Sequence, residues 1–169
     1  VSDAFDARRE ELKRLFADPE SDYFLGTVDL DEINAELEIR DYYAADNIFW
    51  VPALGRWKML QDNCRVTIGQ QIEIKNGKTH IYEFKSTGRL IDDALDAIEK
   101  ENPKLKGLLN KNYTRFQIDQ EKLAGLIDLI SSIPFEHATM KSKDILGHVY
   151  EYFLGQFALA EGKKGGQFY

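Results

Sequence analysis

One cysteine, four prolines and three histidines are few for a chain of 169 residues, and each shortage excludes something. Cys64 has no second thiol to pair with, so no internal disulfide is expected, which fits a reducing compartment. His80, His137 and His148 are scattered and, with a single thiol, offer no metal constellation. No run approaches the roughly 18 apolar residues of a membrane span, and no signal peptide is read at the start. A soluble, cytoplasmic protein with no membrane partner is expected. At 43% hydrophobic and 12% aromatic residues, the chain has the composition of a globular domain with a real core.

The net charge of −7 argues against a nucleic-acid grip by the chain as a whole, but the charge is unevenly spread. Residues 1–50 hold 14 acids and five bases, whereas residues 51–169 hold 15 acids and 17 bases. Between Pro103 and Arg115 there are Lys104, Lys106, Lys111 and Arg115 and no acid. That run can face phosphates, and it can equally be a solvated basic face.

Helical periods dominate the pattern. Residues 1–17 place Val1, Phe5, Leu12, Leu15 and Phe16 on or near one side of a charged helix. Asp18-Pro19 and Gly26 punctuate a turn, and in the acidic stretch 29–46 Leu30, Ile33, Leu37 and Tyr42 keep a helical period. The spacing predicts a short surface helix there, with the acids solubilising it. Asn47 to Pro52 is a compact apolar run, and Gly55 to Leu60 reads as the next helix, its two tryptophans being core anchors. Leu90, Ile91, Ala94, Leu95 and Ile98 make an amphipathic helix that Asn102-Pro103 stops. Asp119 caps a further helix through Ile133, with Leu123, Leu126, Ile127 and Ile130 on its apolar side.

The period changes to two between Gln71 and Lys85, around Asn76-Gly77, a strong hairpin signal. Ile72 and Ile74 are expected to share a face with Ile81 and Phe84, allowing for a slip or bulge. Two carboxylate patterns invite a metal reading. Glu83-Phe-Lys85 has the Glu-x-Lys form of many nuclease sites, but one antiparallel hairpin is not their scaffold, and ordinary cross-strand charge is the expected role. Asp92, Asp93 and Asp96, at helical spacing without a glycine-bearing loop, are expected on the wet face of their helix.

The C-terminal stretch carries the most specific signal. Ser142 and Asp144 suit a helix start; Ile145, Val149, Tyr152, Phe153, Gln156, Phe157 and Ala160 keep a helical face, and Gly162 can end it. Gly162-Lys-Lys-Gly-Gly-Gln-Phe-Tyr169 follows. By composition that run is a tail; chemically it combines glycines for close backbone approach, lysines for anions and aromatics for flat rings.

These residues resemble the modification (M) subunit of type I restriction-modification systems, an adenine-N6 DNA methyltransferase. Asp144-Ile-Leu-Gly-His-Val-Tyr-Glu-Tyr-Phe-Leu-Gly-Gln-Phe-Ala158 and Glu161-Gly-Lys-Lys-Gly-Gly-Gln-Phe-Tyr169 carry the resemblance. So do Phe49-Trp-Val-Pro52 with Arg56-Trp57, the run Ile91 to Leu109, and Leu123 to Ser131, while the acidic stretch and the hairpin are where it is weakest. The helical periods and Asn76-Gly77 predict a mainly α domain of five or six helices with one small β-hairpin near 70–86, covering residues 1–141. By the resemblance, residues 142–169 would lead as a long helix and glycine-rich loop into a catalytic domain. In that family Gln167, Phe168 and Tyr169 would contribute to the S-adenosyl-L-methionine pocket; the basic run Lys104, Lys106, Lys111 and Arg115 is expected on a DNA-facing surface of the assembled enzyme on the ground of its charge. The expected partners are DNA, the specificity subunit, the restriction subunit and a second M subunit.

The family's Phe-x-Gly-x-Gly turn and Asn-Pro-Pro-Phe/Tyr loop do not occur in this sequence, so no catalytic residue is expected in it. Residues 1–12 resemble the end of a helix in that family, so a segment upstream of Val1 is also expected. The remaining alternative is a stand-alone helical protein-interaction module without enzymatic activity.

Overall fold

The computed structural model describes residues 1–75 and 78–132, together with positions 147, 149–151, 154 and 155, all six of which are helical. The Asn76-Gly77 turn, most of the helix read from Ser142, and the tail ending at Tyr169 lie outside the described residues. Across residues 1–75 and 78–132 there are six α-helices and one two-stranded antiparallel hairpin, so the mainly α expectation holds.

The first helix, α1 (Ser2–Ala17), buries Phe5, Leu12 and Phe16, which fall seven and four residues apart on one stripe, while Val1 stays half exposed. It packs on two short helices of the acidic stretch, α2 (Leu30–Glu36) and α3 (Asp41–Ala44). Asp29 starts α2 by accepting from the amides of Asp31 and Glu32. Here the expectation needs two corrections. Leu30 is largely exposed, and it is Tyr43, not Tyr42, that is fully buried, with its hydroxyl donating to the Leu37 carbonyl at 2.8 Å. The chain turns between the two helices at residues 38–40, so a single helical period does not carry across.

Trp50 and Val51 enter the same core, and a 3-10 turn at Ala53–Gly55 leads into α4 (Trp57–Asn63). Gly55 is required by close approach. A Cβ there would lie 2.7 Å from Ile98 Cγ1 and 3.2 Å from the Ala94 carbonyl of the long helix α5 (Thr87–Glu101). Ser86 caps α5 by accepting from the Arg89 amide. The helix serves as spine: Ile98 joins the core around Phe5, whereas Leu90 and Ala94 join a second core with Leu60 and the hairpin.

The hairpin pairs β1 (Gln71–Lys75) with β2 (Thr79–Glu83), Ile72 opposite Tyr82 and Ile74 opposite His80. Ile72, Ile74 and Phe84 are buried, as their alternation predicts, but Ile81 sits opposite Glu73 and is 58% exposed. Ile81 and Phe84 are three apart, and a strand with period two cannot hold both on one face. The next helix, α6 (Gln120–Ser131), is capped by Asp119 and packs Leu123, Ala124 and Ile127 inward. Trp57 Nε1 donates to Ser131 Oγ at 2.6 Å, tying α4 to α6, so this tryptophan is a rim strut while Trp50 is the core anchor.

Candidate nucleic-acid interface

The basic run begins where α5 ends. Asn102 stops that helix, and its side-chain amide donates to the carbonyls of Ile98 and Trp50, both at 2.8 Å. A 3-10 turn at Pro103–Leu105 follows, with Leu105 buried against the core that holds Ile98. From there the chain runs back toward the start of α5. Lys111 Nζ lies 3.3 Å from both Asp96 Oδ1 and Glu99 Oε1. The amides of Tyr113 and Thr114 donate to the two carboxylate oxygens of Asp92 at 3.1 and 2.9 Å. At the far end a Cβ on Gly88 would meet the Tyr113 carbonyl at 2.8 Å, so residue 88 has room for nothing larger than glycine without a shift.

Residues 103–118 therefore lie along α5 like a strap, antiparallel to it and fastened at three places. Lys104, Lys106 and Arg115 are exposed, and so are Leu108 and Phe116. A cleft of about 390 Å³ opens where the strap meets the starts of α5 and α6, lined by Gly88, Tyr113, Thr114 and Asp119 among others. The four sequence-predicted basic residues thus share one loop, but Lys111 differs from the rest because two carboxylates engage it.

The three aspartates of α5 are correspondingly not an idle wet face. Asp92 holds the strap backbone. Asp93 accepts from the Tyr82 hydroxyl at 2.6 Å and from Arg89, joining helix to hairpin; burial and then this bond push the Tyr82 hydroxyl up. Asp96 pairs with Lys100 and Lys111. The hydrogen bond from Lys100, and a second from Lys111, hold its carboxyl below the usual carboxylate range despite some burial. The pair with Lys111 therefore stays charged at neutral pH. Among the described residues no group of three or more His, Cys, Asp or Glu side chains could hold a metal. Glu83 sits opposite Gln71 in the hairpin.

One cluster went unread in the sequence. Glu38, inside the acid run taken as solubilising, is half-buried and accepts from Arg56 through both oxygens, at 2.9 and 2.8 Å, and from Arg9 at 3.1 Å. Arg56 also donates to the Val51 carbonyl and lies over the rings of Phe5 and Trp50. A polar cleft of about 470 Å³ opens beside it, bordered by Asp31, Asn34 and Lys75. No local signal marks a partner 18 residues away in sequence.

A helical domain that fastens a basic strap along its central helix is what the described residues define. The chain belongs to the HsdM N-terminal domain family, whose match covers residues 1–132, and residues 141–169 match the family described as N-6 DNA Methylase. It is 43% identical over 126 residues to the type I restriction enzyme HindI methylase subunit of Haemophilus influenzae, a stretch covering 70% of this chain and 27% of that protein. It is 30% identical over 168 residues to the type I restriction enzyme MjaIX methylase subunit of Methanocaldococcus jannaschii, covering 98% of this chain and 26% of that protein. The chain spans about a quarter of the length of these curated relatives. No described helix is long and apolar enough to cross a membrane.

Proposed function

We propose that this chain is the N-terminal part of the methylation subunit of a cytoplasmic type I restriction-modification system, which transfers a methyl group to the N6 of adenine in DNA. The observation that carries the reading is the order of the two family matches on one chain, an HsdM N-terminal domain at 1–132 followed by a match to N-6 DNA Methylase at 141–169. S-adenosyl-L-methionine would supply the methyl group when bound. The specificity subunit, the restriction subunit and a second methylation subunit would be the protein partners, with the helical domain serving subunit contact and DNA enclosure. The run Lys104, Lys106, Lys111 and Arg115 would lie on a DNA-facing surface.

Gln167, Phe168 and Tyr169, assigned to the cofactor pocket by resemblance, lie outside the described residues. Their chemistry suits the role: Gly165 and Gly166 permit close backbone approach, Gln167 can hydrogen-bond a polar group, and Phe168 offers an aromatic face. A pocket needs walls on several sides, and a single loop supplies one. Titration calorimetry of the 169-residue chain with S-adenosyl-L-methionine should accordingly give no binding heat, while the full-length subunit binds. In the full-length subunit Phe168→Ala should weaken that binding by roughly tenfold or more, as loss of an aromatic contact does, without a matching fall in Tm. Tight binding by the short chain, or an indifferent Phe168→Ala, would remove this loop from the pocket. Failure of the full-length subunit, assembled with its specificity subunit, to label DNA adenine with a radioactive methyl group would overturn the functional reading itself.

A further inference from the structure

The strap has two sides with different chemistry. Its inner side is consumed by α5: Asp92 takes two backbone amides, and Asp96 and Glu99 together engage Lys111. Glu99 is only 14% exposed at its side chain, and its Oε2 is buried without a hydrogen-bond partner. Lys111 is therefore the cation that offsets a largely buried carboxylate, and removing it would leave that charge uncompensated. Lys104 and Lys106 at one end of the strap and Arg115 at the other are exposed, as is the part of Lys111 that its carboxylate partners leave open.

The spacing is consistent with a strap laid flat on a helix. Asp92 and the Asp96–Glu99 pair are four to seven residues apart on α5, or roughly 6–10 Å at 1.5 Å per residue. The groups they hold, residues 113–114 and 111, are two to three residues apart, or roughly 7–10 Å of extended chain. From Asn102 back to Gly88 the helix covers about 21 Å, so the cations at the two ends straddle roughly six base pairs of B-DNA.

We propose that this strap is a pre-formed DNA-backbone contact in which Lys104, Lys106 and Arg115 meet phosphates, whereas Lys111 and Asp92 are positioning residues that never touch DNA. The inference rests on the DNA-facing reading above. It divides a run of four cations, alike in sequence, into three contacts and one strut. Holding the loop in place beforehand spares the ordering entropy that a free basic loop would lose on binding.

The test uses the full-length subunit in complex with its specificity subunit, and a fluorescein-labelled DNA duplex followed by anisotropy between roughly 50 and 200 mM salt. Replacing Lys104, Lys106 and Arg115 together by Gln should lower affinity and reduce the slope of log affinity against log salt by about 2.7, since each lost phosphate contact accounts for about 0.9. Lys111→Met should instead lower affinity several-fold at every salt, leaving the slope unchanged, and should speed amide exchange across residues 103–118 in the free complex. Lys111→Arg should restore both, and Asp92→Asn should resemble Lys111→Met. A triple variant with unchanged affinity and slope overturns the DNA-facing reading. A Lys111→Met slope reduced by about 0.9 makes Lys111 a phosphate contact, and a Lys111→Met complex with unchanged exchange and affinity removes the strut; either outcome overturns the division proposed here. Should Lys111→Met not fold, Asp92→Asn and Lys111→Arg decide the matter on the same two readouts.

Discussion

Replacing Arg56 by Met should cost the domain about 1.5–3 kcal/mol of unfolding free energy, the range for losing hydrogen bonds to a charged group. Its guanidinium joins the Glu38 carboxylate, the Val51 carbonyl and the faces of Phe5 and Trp50, so methionine would return only the packing of the stem. Glu38 would be left half-buried with Arg9 as its remaining cation. The effect carries a pH signature. Burial alone would push the Glu38 carboxyl up, but hydrogen bonds and charge from Arg56, then Arg9, outweigh it and hold its pKa below the ordinary value. A carboxyl with a lowered folded pKa contributes stability that is complete above its unfolded pKa, about 4.3, and is lost as pH falls through the folded value. The gap in urea-unfolding free energy between the native chain and Arg56→Met should therefore be widest near neutral pH and narrow below about pH 4. A gap that is below about 1 kcal/mol, or that widens in acid, would show that Arg56 acts through packing alone.

Local pattern made most of the helices legible. The stripe of α5 and the stop at Asn102-Pro103 follow from residues that are neighbours in sequence, and so does the cap at Asp119. What local pattern could not carry is long-range pairing. Nothing near Glu38 marks it as the acceptor of two arginines from other elements, and nothing near Asp92 announces that residues 113 and 114 will donate to it. The acid run therefore looked like a solvated surface, although Leu37, Glu38 and Tyr43 form part of the inner structure. The same limit blurred the basic run. Lys104, Lys106, Lys111 and Arg115 are equivalent as letters, and only the fold distinguishes the lysine that faces Asp96 and Glu99. In the hairpin the error was one of register. Ile81 is apolar, but strand geometry places it opposite Glu73 on the exposed side.

Phe5→Ala should lower stability by about 3–5 kcal/mol, the usual cost of emptying a large aromatic site in a core. The ring is fully buried, stacks on Tyr43 at 4.8 Å and meets the Trp50 ring edge-on at 5.4 Å. Its loss would reach the strap as well as the core. The Trp50 carbonyl accepts from the Asn102 amide that anchors the start of residues 103–118, so slack around Trp50 loosens that attachment. The two large substitutions should also not be independent. The Arg56 guanidinium lies 5.2 Å from the Phe5 ring centre, a cation–π contact worth about 0.5–2 kcal/mol. Either single change removes that contact, so the double variant Phe5→Ala/Arg56→Met should lose less than the two losses added together, by about 1 kcal/mol. Urea unfolding of the native chain, both single variants and the double variant closes the cycle. Additivity within about 0.3 kcal/mol would mean that Arg56 and Phe5 share a neighbourhood but no energy. In that case the guanidinium is held by Glu38, Val51 and Trp50 without Phe5. A coupling near the expected value, with faster amide exchange at residues 103–106 in Phe5→Ala, would instead trace one continuous path from the core of α1 to the root of the basic strap.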